Sequence, residues 1–297
     1  MAYEIAGKYI AFNPDRLVTG FYASFDYDYW RYKLEYLRHL VNLESPPVQQ
    51  LGLGPELEPE RWERYLAQEV HFCYYHITEC LFALLFAKAQ ERPPEGMPIW
   101  LYLTEYQPRG FGHLISEFLN RDYEAPFKCE TFAEFAAAKI YGGIDTGLDE
   151  ATWSENCDKL EILLRMLATD LRDNKGEYNS YKHGLRAANS VTKIAYQADG
   201  SEQIFLGGSN PNSSVFLATK DCTEYKGKKQ VYKVTKGFSP TRSLNLAVFA
   251  FQVIDTLIQT NKPSKAGDQV RFWLFHKHDT YQMGAHDPGY FSATTPI

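Results

Sequence analysis

Large apolar side chains recur at helical spacing over several long stretches of the chain. In "DYDYWRYKLEYLRHLVNL", residues 26 to 43, the spacing predicts an amphipathic helix that Pro46 and Pro47 stop. A Gly/Pro/Leu link, "QQLGLGPELEPE", leads to the longest periodic stretch, "PERWERYLAQEVHFCYYHITECLFALLFAKAQE", from 59 to 91. It opens with Pro59 near a helix N-terminus and ends before Pro93 and Pro94. About 30 residues of helix span roughly 45 Å, the length of a bundle's spine. Shorter helices are predicted at 110 to 119 and 131 to 140, the second capped by Thr131 with Glu134 three residues on. After the "YGGIDTG" turn, Leu160, Leu163, Leu164 and Leu167 form an apolar stripe in "TWSENCDKLEILLRMLATDLRD". Asn174, Lys175 and Gly176 interrupt it, so the next segment is a short helix or a kinked continuation.

The pattern then changes period. Between 191 and 236, "VTKIAYQ", "EQIFLGG", "SSVFLATK" and "KKQVYKVTK" are short β-prone runs separated by turn residues, which predicts a small antiparallel sheet. Ser239 and Pro240 then provide a cap and first-turn pair for "TRSLNLAVFAFQVIDTLIQTN", which is apolar nearly all round and so belongs at the core. The expected fold is mainly α: a helical bundle with a small antiparallel β insertion. Its expected division is an N-terminal helical extension over 1–55 and a bundle over 56–297, with the insertion at about 191–236.

Composition narrows the function. The 297 residues are 44% hydrophobic and 15% aromatic, so many of the 21 Tyr and 19 Phe should line helix interfaces. A formal charge of -6 gives no bulk attraction to a phosphate backbone, and any nucleic-acid contact needs a local basic patch. The N-terminus lacks the basic and apolar regions of a signal peptide, and no segment approaches 18 to 20 uncharged apolar residues. No membrane association is expected. Five scattered cysteines without a CxxC pair argue against a disulfide framework or a thiolate zinc site and point to a reducing cytoplasm. No GxGxxG, Walker A, HExxH or GxSxG motif is present, and no cofactor is expected.

The segment "EYNSYKHGLRAAN", 177 to 189, concentrates the polar chemistry. On a helical projection with His183 at zero, Asn179 lies near -40°, Arg186 near -60° and Lys182 near -100°. Tyr178, Tyr181 and Leu185 fall on the opposite side. Imidazole, guanidinium, ammonium and amide in one arc are the groups a metal-free ribonuclease needs: a base for the 2'-hydroxyl and cations and donors for the phosphoryl oxygens. The same arc is also what the wet face of any amphipathic helix looks like. Both readings stand at this point.

The string "YNSYKHGLR", 178 to 186, resembles the Y-N-x-x-K-H-G-x-R signature of HEPN-like helical proteins, a superfamily rich in RNA-cleaving toxins and defence proteins. The resemblance covers about 130 to 260, and loosely the long helix before it. It implies a HEPN-like bundle acting as a metal-independent endoribonuclease on single-stranded RNA. His183 would transfer the proton, Arg186 or Lys182 would stabilise phosphate charge and Asn179 would supply a donor. Catalytic members place an Arg four to six residues before the His and often complete the site across a dimer. Here Arg172 stands eleven positions before His183, about 16 Å away on a straight helix. The alternative implied is a non-catalytic helical adaptor or nucleic-acid-binding protein, so whether the chain is an enzyme is left open. The implied partners are RNA and a second copy of the chain.

Other candidates are secondary. Lys226, Lys228 and Lys229, with Tyr225 and Tyr232 interleaved, could hold phosphates and stack bases, or could keep an exposed hairpin soluble. Glu69, Cys73, His76 and Cys80 share a face of the long helix but lack the paired E-x-x-H arrangement of a metal bundle. His276, His278 and His286 lie in a C-terminal tail that offers ligands without a defined site. No metal is expected.

Overall fold

Several helix starts are set by proline and by side-chain caps. In the computed structural model, which describes residues 2–5, 8–11, 14–43, 58–89, 103, 108–182, 187–192, 195–196, 204–205, 210–221, 229–262 and 270–275, the chain is mainly helical. The helices are α1 (Pro14–Ser24), α2 (Asp28–Val41), α3 (Pro59–Ala89), α4 (Pro108–Asn120), α5 (Glu124–Phe127), α6 (Phe132–Phe135), α7 (Glu150–Asp173), α8 (Lys175–Lys182) and α9 (Pro240–Asn261). Thr131 caps α6 by accepting from the Glu134 amide at 3.2 Å, and Asp149 caps α7 through the Thr152 amide at 2.8 Å. Ser239 caps α9 in the same way at 3.2 Å, with Pro240 at the start of the helix. These local devices place the helix starts close to where the pattern puts them. The hydrophobic pattern does not mark α1, because Val18, Thr19 and Gly20 are weak helix formers and, among its described side chains, Phe21 alone is fully buried.

Helix α3 is the centre of the structure. Its buried side chains run from Leu66 to Ala89, and it packs against α2, α7 and α9. Helix α9, buried on most sides, is its main neighbour. At the C-terminal half of α3, Phe82 and Phe86 meet Phe118 of α4, Phe127 of α5 and, through these, Tyr123, Phe132 and Phe135. Seven aromatic rings therefore form one interlocking cluster.

Helix α6 passes without a break into a π-helical turn, Ala136–Ile140. Two features fix the exit from that turn. Gly142 takes a positive φ of 62°, and a Cβ there would lie 2.5 Å from the Thr260 carbonyl oxygen on α9. Tyr141 donates its hydroxyl hydrogen to the Trp273 carbonyl at 3.1 Å and accepts from Asn156 Nδ2 at 3.1 Å. Asn156, fully buried, in turn accepts from the Phe275 amide at 2.7 Å. The segment 270–275 is thus tied to α7 through side chains.

Backbone pairing defines the remaining elements. β1 (Ala2–Ile5) pairs antiparallel with β2 (Lys8–Ala11). β3 (Ala187–Thr192), β6 (Asn210–Asp221) and β7 (Lys229–Gly237) pair antiparallel in the order β3-β6-β7, while β4 (Ala195–Tyr196) pairs with β5 (Ile204–Phe205).

By length and composition, α3 and α9 are apolar enough to cross a membrane, with 18-residue windows of mean hydropathy 1.3 and 1.2. Of those windows, 78% and 72% are buried within the structure, as in any central core helix.

Candidate functional site at the motif helix

One residue, Asn174, separates α7 from α8. Its amide still donates to the Asp170 carbonyl at 2.9 Å, and its carbonyl accepts from the Tyr178 amide at 3.0 Å, so helical hydrogen bonds reach it from both sides. Helix α8 lies against α3. Glu177, Tyr178 and Ser180 are buried, Tyr181 is half-buried, and Asn179 and Lys182 are exposed.

Four side chains of the motif, Glu177, Tyr178, Tyr181 and Lys182, face α3. Glu177 Oε1 lies 3.4 Å from His71 Nε2. Tyr178 donates its hydroxyl hydrogen to Glu79 Oε2 at 2.9 Å, and Tyr181 donates to Glu69 Oε2 at 3.2 Å while its ring stacks on Phe72 at 3.7 Å. Lys182 forms an ion pair with the same Glu79 carboxylate, its ammonium 4.5 Å from the centre of the Tyr178 ring. The aromatic face is buried as the projection requires. Lys182 departs from the projected polar arc, because its long stem lets the ammonium fold over Tyr178 onto α3.

Behind α8 lies a buried polar cluster. His71 Nδ1 is 2.9 Å from Ser243 Oγ on α9, and the imidazole stacks on Phe238 at 4.1 Å. The Glu177 approach to His71 is an ion-pair distance without hydrogen-bond alignment, which leaves Nε2 with no hydrogen-bond partner. Beside it, Asp170 Oδ2 accepts from the Tyr74 hydroxyl at 2.7 Å and from Arg242 Nη1 at 2.6 Å. Of these groups His71, Glu177 and Ser243 are buried, while the Asp170 and Arg242 side chains keep part of their surface exposed.

The open part of the site is a pocket of about 240 Å³ lined by His76, Glu79, Cys80, Ala83, Leu103 and Lys182. Loss of hydration, and then the positive charges of Lys33 and Lys182, hold the His76 pKa below the usual imidazole range. A neutral imidazole beside an ammonium can accept a proton near neutral pH. Sequence reasoning reached His76 only as a member of a metal face and did not reach Glu79, whose role depends on a contact 103 residues away in the chain.

Other sequence candidates fall elsewhere. His183, Arg186, Lys226 and Lys228 lie outside the described residues, as do Tyr225, His276, His278 and His286. Lys229 and Tyr232 belong to β7, where they register with Asp221 and Ala218 of β6. The Arg172 guanidinium is engaged by its own neighbour, Asp173, at 2.8 Å. Glu69 is taken by Lys33 at 3.2 Å and by Tyr181, and among the described residues no three His, Cys, Asp or Glu side chains are grouped to hold a metal ion.

Compared with known proteins, the chain matches no family model, no curated protein and no solved structure. Its site has to be read from its own geometry.

That geometry makes Glu79 the clamp of the motif helix. Glu79→Gln keeps an acceptor for Tyr178 but removes the partner charge of Lys182, and it is expected to cost about 1 kcal/mol in urea unfolding. Glu79→Ala, which also strands the Tyr178 hydroxyl, should cost about 2 kcal/mol. Equal stability of both variants and wild type would show that the clamp contributes nothing.

Proposed function

We propose that the chain is a non-catalytic HEPN-like helical protein, a bundle with strands β3 to β7 inserted between α8 and α9, that works as an adaptor. One observation carries this reading: Tyr178, Tyr181 and Lys182 commit their polar atoms to α3, with Glu177 buried beside His71, so the motif holds two helices together. A ribonuclease needs a cation free to meet the phosphoryl oxygens, and Lys182 is paired with Glu79 while Arg172 is paired with Asp173. Helix α2 supplies a surface suited to docking. Tyr29, Tyr32 and Tyr36, at i, i+3 and i+7, are 52%, 62% and 59% exposed, and tyrosine gives large contact area at small entropic cost. A second copy of the chain is the proposed partner.

The His76 pocket favours a second reading, the metal-independent endoribonuclease. There the neutral imidazole would take the 2'-hydroxyl proton, with His183 and Arg186 following in sequence after Lys182. One assay separates the two. Labelled single-stranded RNA incubated with wild type in EDTA is expected to remain intact. Cleavage that disappears in His76→Ala or His183→Ala would replace the adaptor with the nuclease and show which imidazole acts. RNA retained without cleavage, and released by salt less steeply once Lys226, Lys228 and Lys229 are neutralised, would make the adaptor a nucleic-acid-binding one.

A further inference from the structure

A second pocket, of about 270 Å³, opens between the start of α2, the second half of α9 and segment 270–275. It shares no lining residue with the motif site. We infer that it binds a small zwitterion with an apolar body, of the class of a free α-amino acid carrying an aromatic or large aliphatic side chain.

Size sets the first limit. The volume falls just below the roughly 300 Å³ at which pockets for drug-sized ligands begin, so it suits a single amino acid better than a larger cofactor. The walls are aromatic and held in place. Tyr27 and Phe251 stack with centroids 6.5 Å apart. Trp273 is fixed at both ends, its indole donating to Asp255 Oδ2 at 2.8 Å and its amide to Thr256 Oγ1 at 3.0 Å. Gln259 donates to the Tyr27 hydroxyl, which itself hydrogen-bonds Asp255. An apolar body entering here meets rings that need no reordering.

Charge sets the second limit. Asp28 and Arg31 neutralise one another at 3.3 Å. The other two charged groups do not. Asp255 is held by the neutral donors Trp273, Gln259 and Tyr27 and has no ion-pair partner among the described residues. Arg271, exposed, likewise pairs with no carboxylate among them. A purely anionic ligand would therefore meet the Asp255 carboxylate, and a purely cationic one the Arg271 guanidinium. A ligand bearing both signs answers both: its carboxylate pairs with Arg271, while its ammonium faces Asp255 and the ring faces of Tyr27 and Trp273. A residue within a peptide carries neither free charge, which restricts the class to the free zwitterion.

Titration calorimetry on the full chain tests this, with L-phenylalanine compared with phenethylamine, which lacks the carboxylate, and 3-phenylpropionate, which lacks the ammonium. L-phenylalanine should bind, and each singly charged analogue should bind about tenfold or more weakly, one charged hydrogen bond having been removed. Arg271→Met, a change at an exposed position, should bring phenylalanine down to the level of phenethylamine while the helical circular dichroism stays unchanged. The inference is overturned if L-phenylalanine, L-tryptophan and L-leucine all give no binding heat at millimolar concentration. Equal affinity for the zwitterion and either analogue, or tighter binding of adenosine monophosphate, would overturn it as well.

Discussion

Carried from pH 8 to pH 12, the protein is expected to lose stability steeply and to unfold well inside the alkaline range. Burial is the main cause. It raises the Cys73 and Cys80 thiols from 9.0 to about 11 and the Cys157 thiol to about 12. Tyr27 rises from 10.0 to about 12, through loss of hydration and then the nearby Asp255 charge. Tyr74, Tyr75, Tyr123 and Tyr141 are all pushed above the usual tyrosine range, each chiefly by burial. A group whose folded pKa is raised stabilises the fold fully below its unfolded pKa. Between the two values the unfolded chain has released a proton that the folded chain still holds, so stability falls as pH rises. The window runs from about pH 9, where unfolded thiols ionise, to about pH 12. Urea midpoints at pH 8, 9.5 and 10.5 should decline in order, and tyrosine ionisation followed by absorbance should appear together with loss of helix. Tyrosines that titrate freely near their ordinary value while the helices persist would show that the rings are not sealed.

Phe118→Ala is expected to be the most damaging single change in the core, at about 3–5 kcal/mol. The ring is fully buried and touches Phe82 and Phe86 of α3, Tyr123, and Phe132 and Phe135 of α6, with centroids 5.7 to 6.4 Å apart. Several of these pairs are edge-to-face or tilted, so a vacancy cannot close by sliding one ring over another. Ile162→Ala on α7 is the control, because that side chain is 56% exposed and its loss should change stability by no more than about 0.5 kcal/mol. Similar urea midpoints for the two variants would show that the aromatic cluster contributes little beyond its surface.

Helix placement was legible because its causes are local: the caps at Thr131 and Ser239 and the prolines at 59 and 240 lie within one turn of what they specify. The cap at Asp149 is just as local, although the leucine stripe of that helix does not itself mark where it starts. The motif helix was legible only in part. Periodicity correctly turned Tyr178 inward and Asn179 outward. It could not show that Glu79 would hold both Tyr178 and Lys182, or that His71 would meet Glu177 and Ser243, since those partners come from distant turns of α3 and α9. The π-helical turn was hidden for a related reason. "AAAKI" is good α-helical sequence, and its wider winding accompanies contacts made by the residues after it.

Those contacts constrain how the chain can diverge. At position 142 any side chain would strike the Thr260 main chain, and main chain cannot be exchanged for something smaller by a compensating substitution. Drift is closed there even where the surrounding apolar residues are free to trade volume. The preceding Tyr141 is constrained from the other side, because its hydroxyl ties Asn156 to Trp273. A distant descendant of the same ancestor that has lost every other recognisable feature should still carry this tyrosine–glycine pair followed by an asparagine fourteen places after the glycine, a spacing on which a search for such descendants can be keyed.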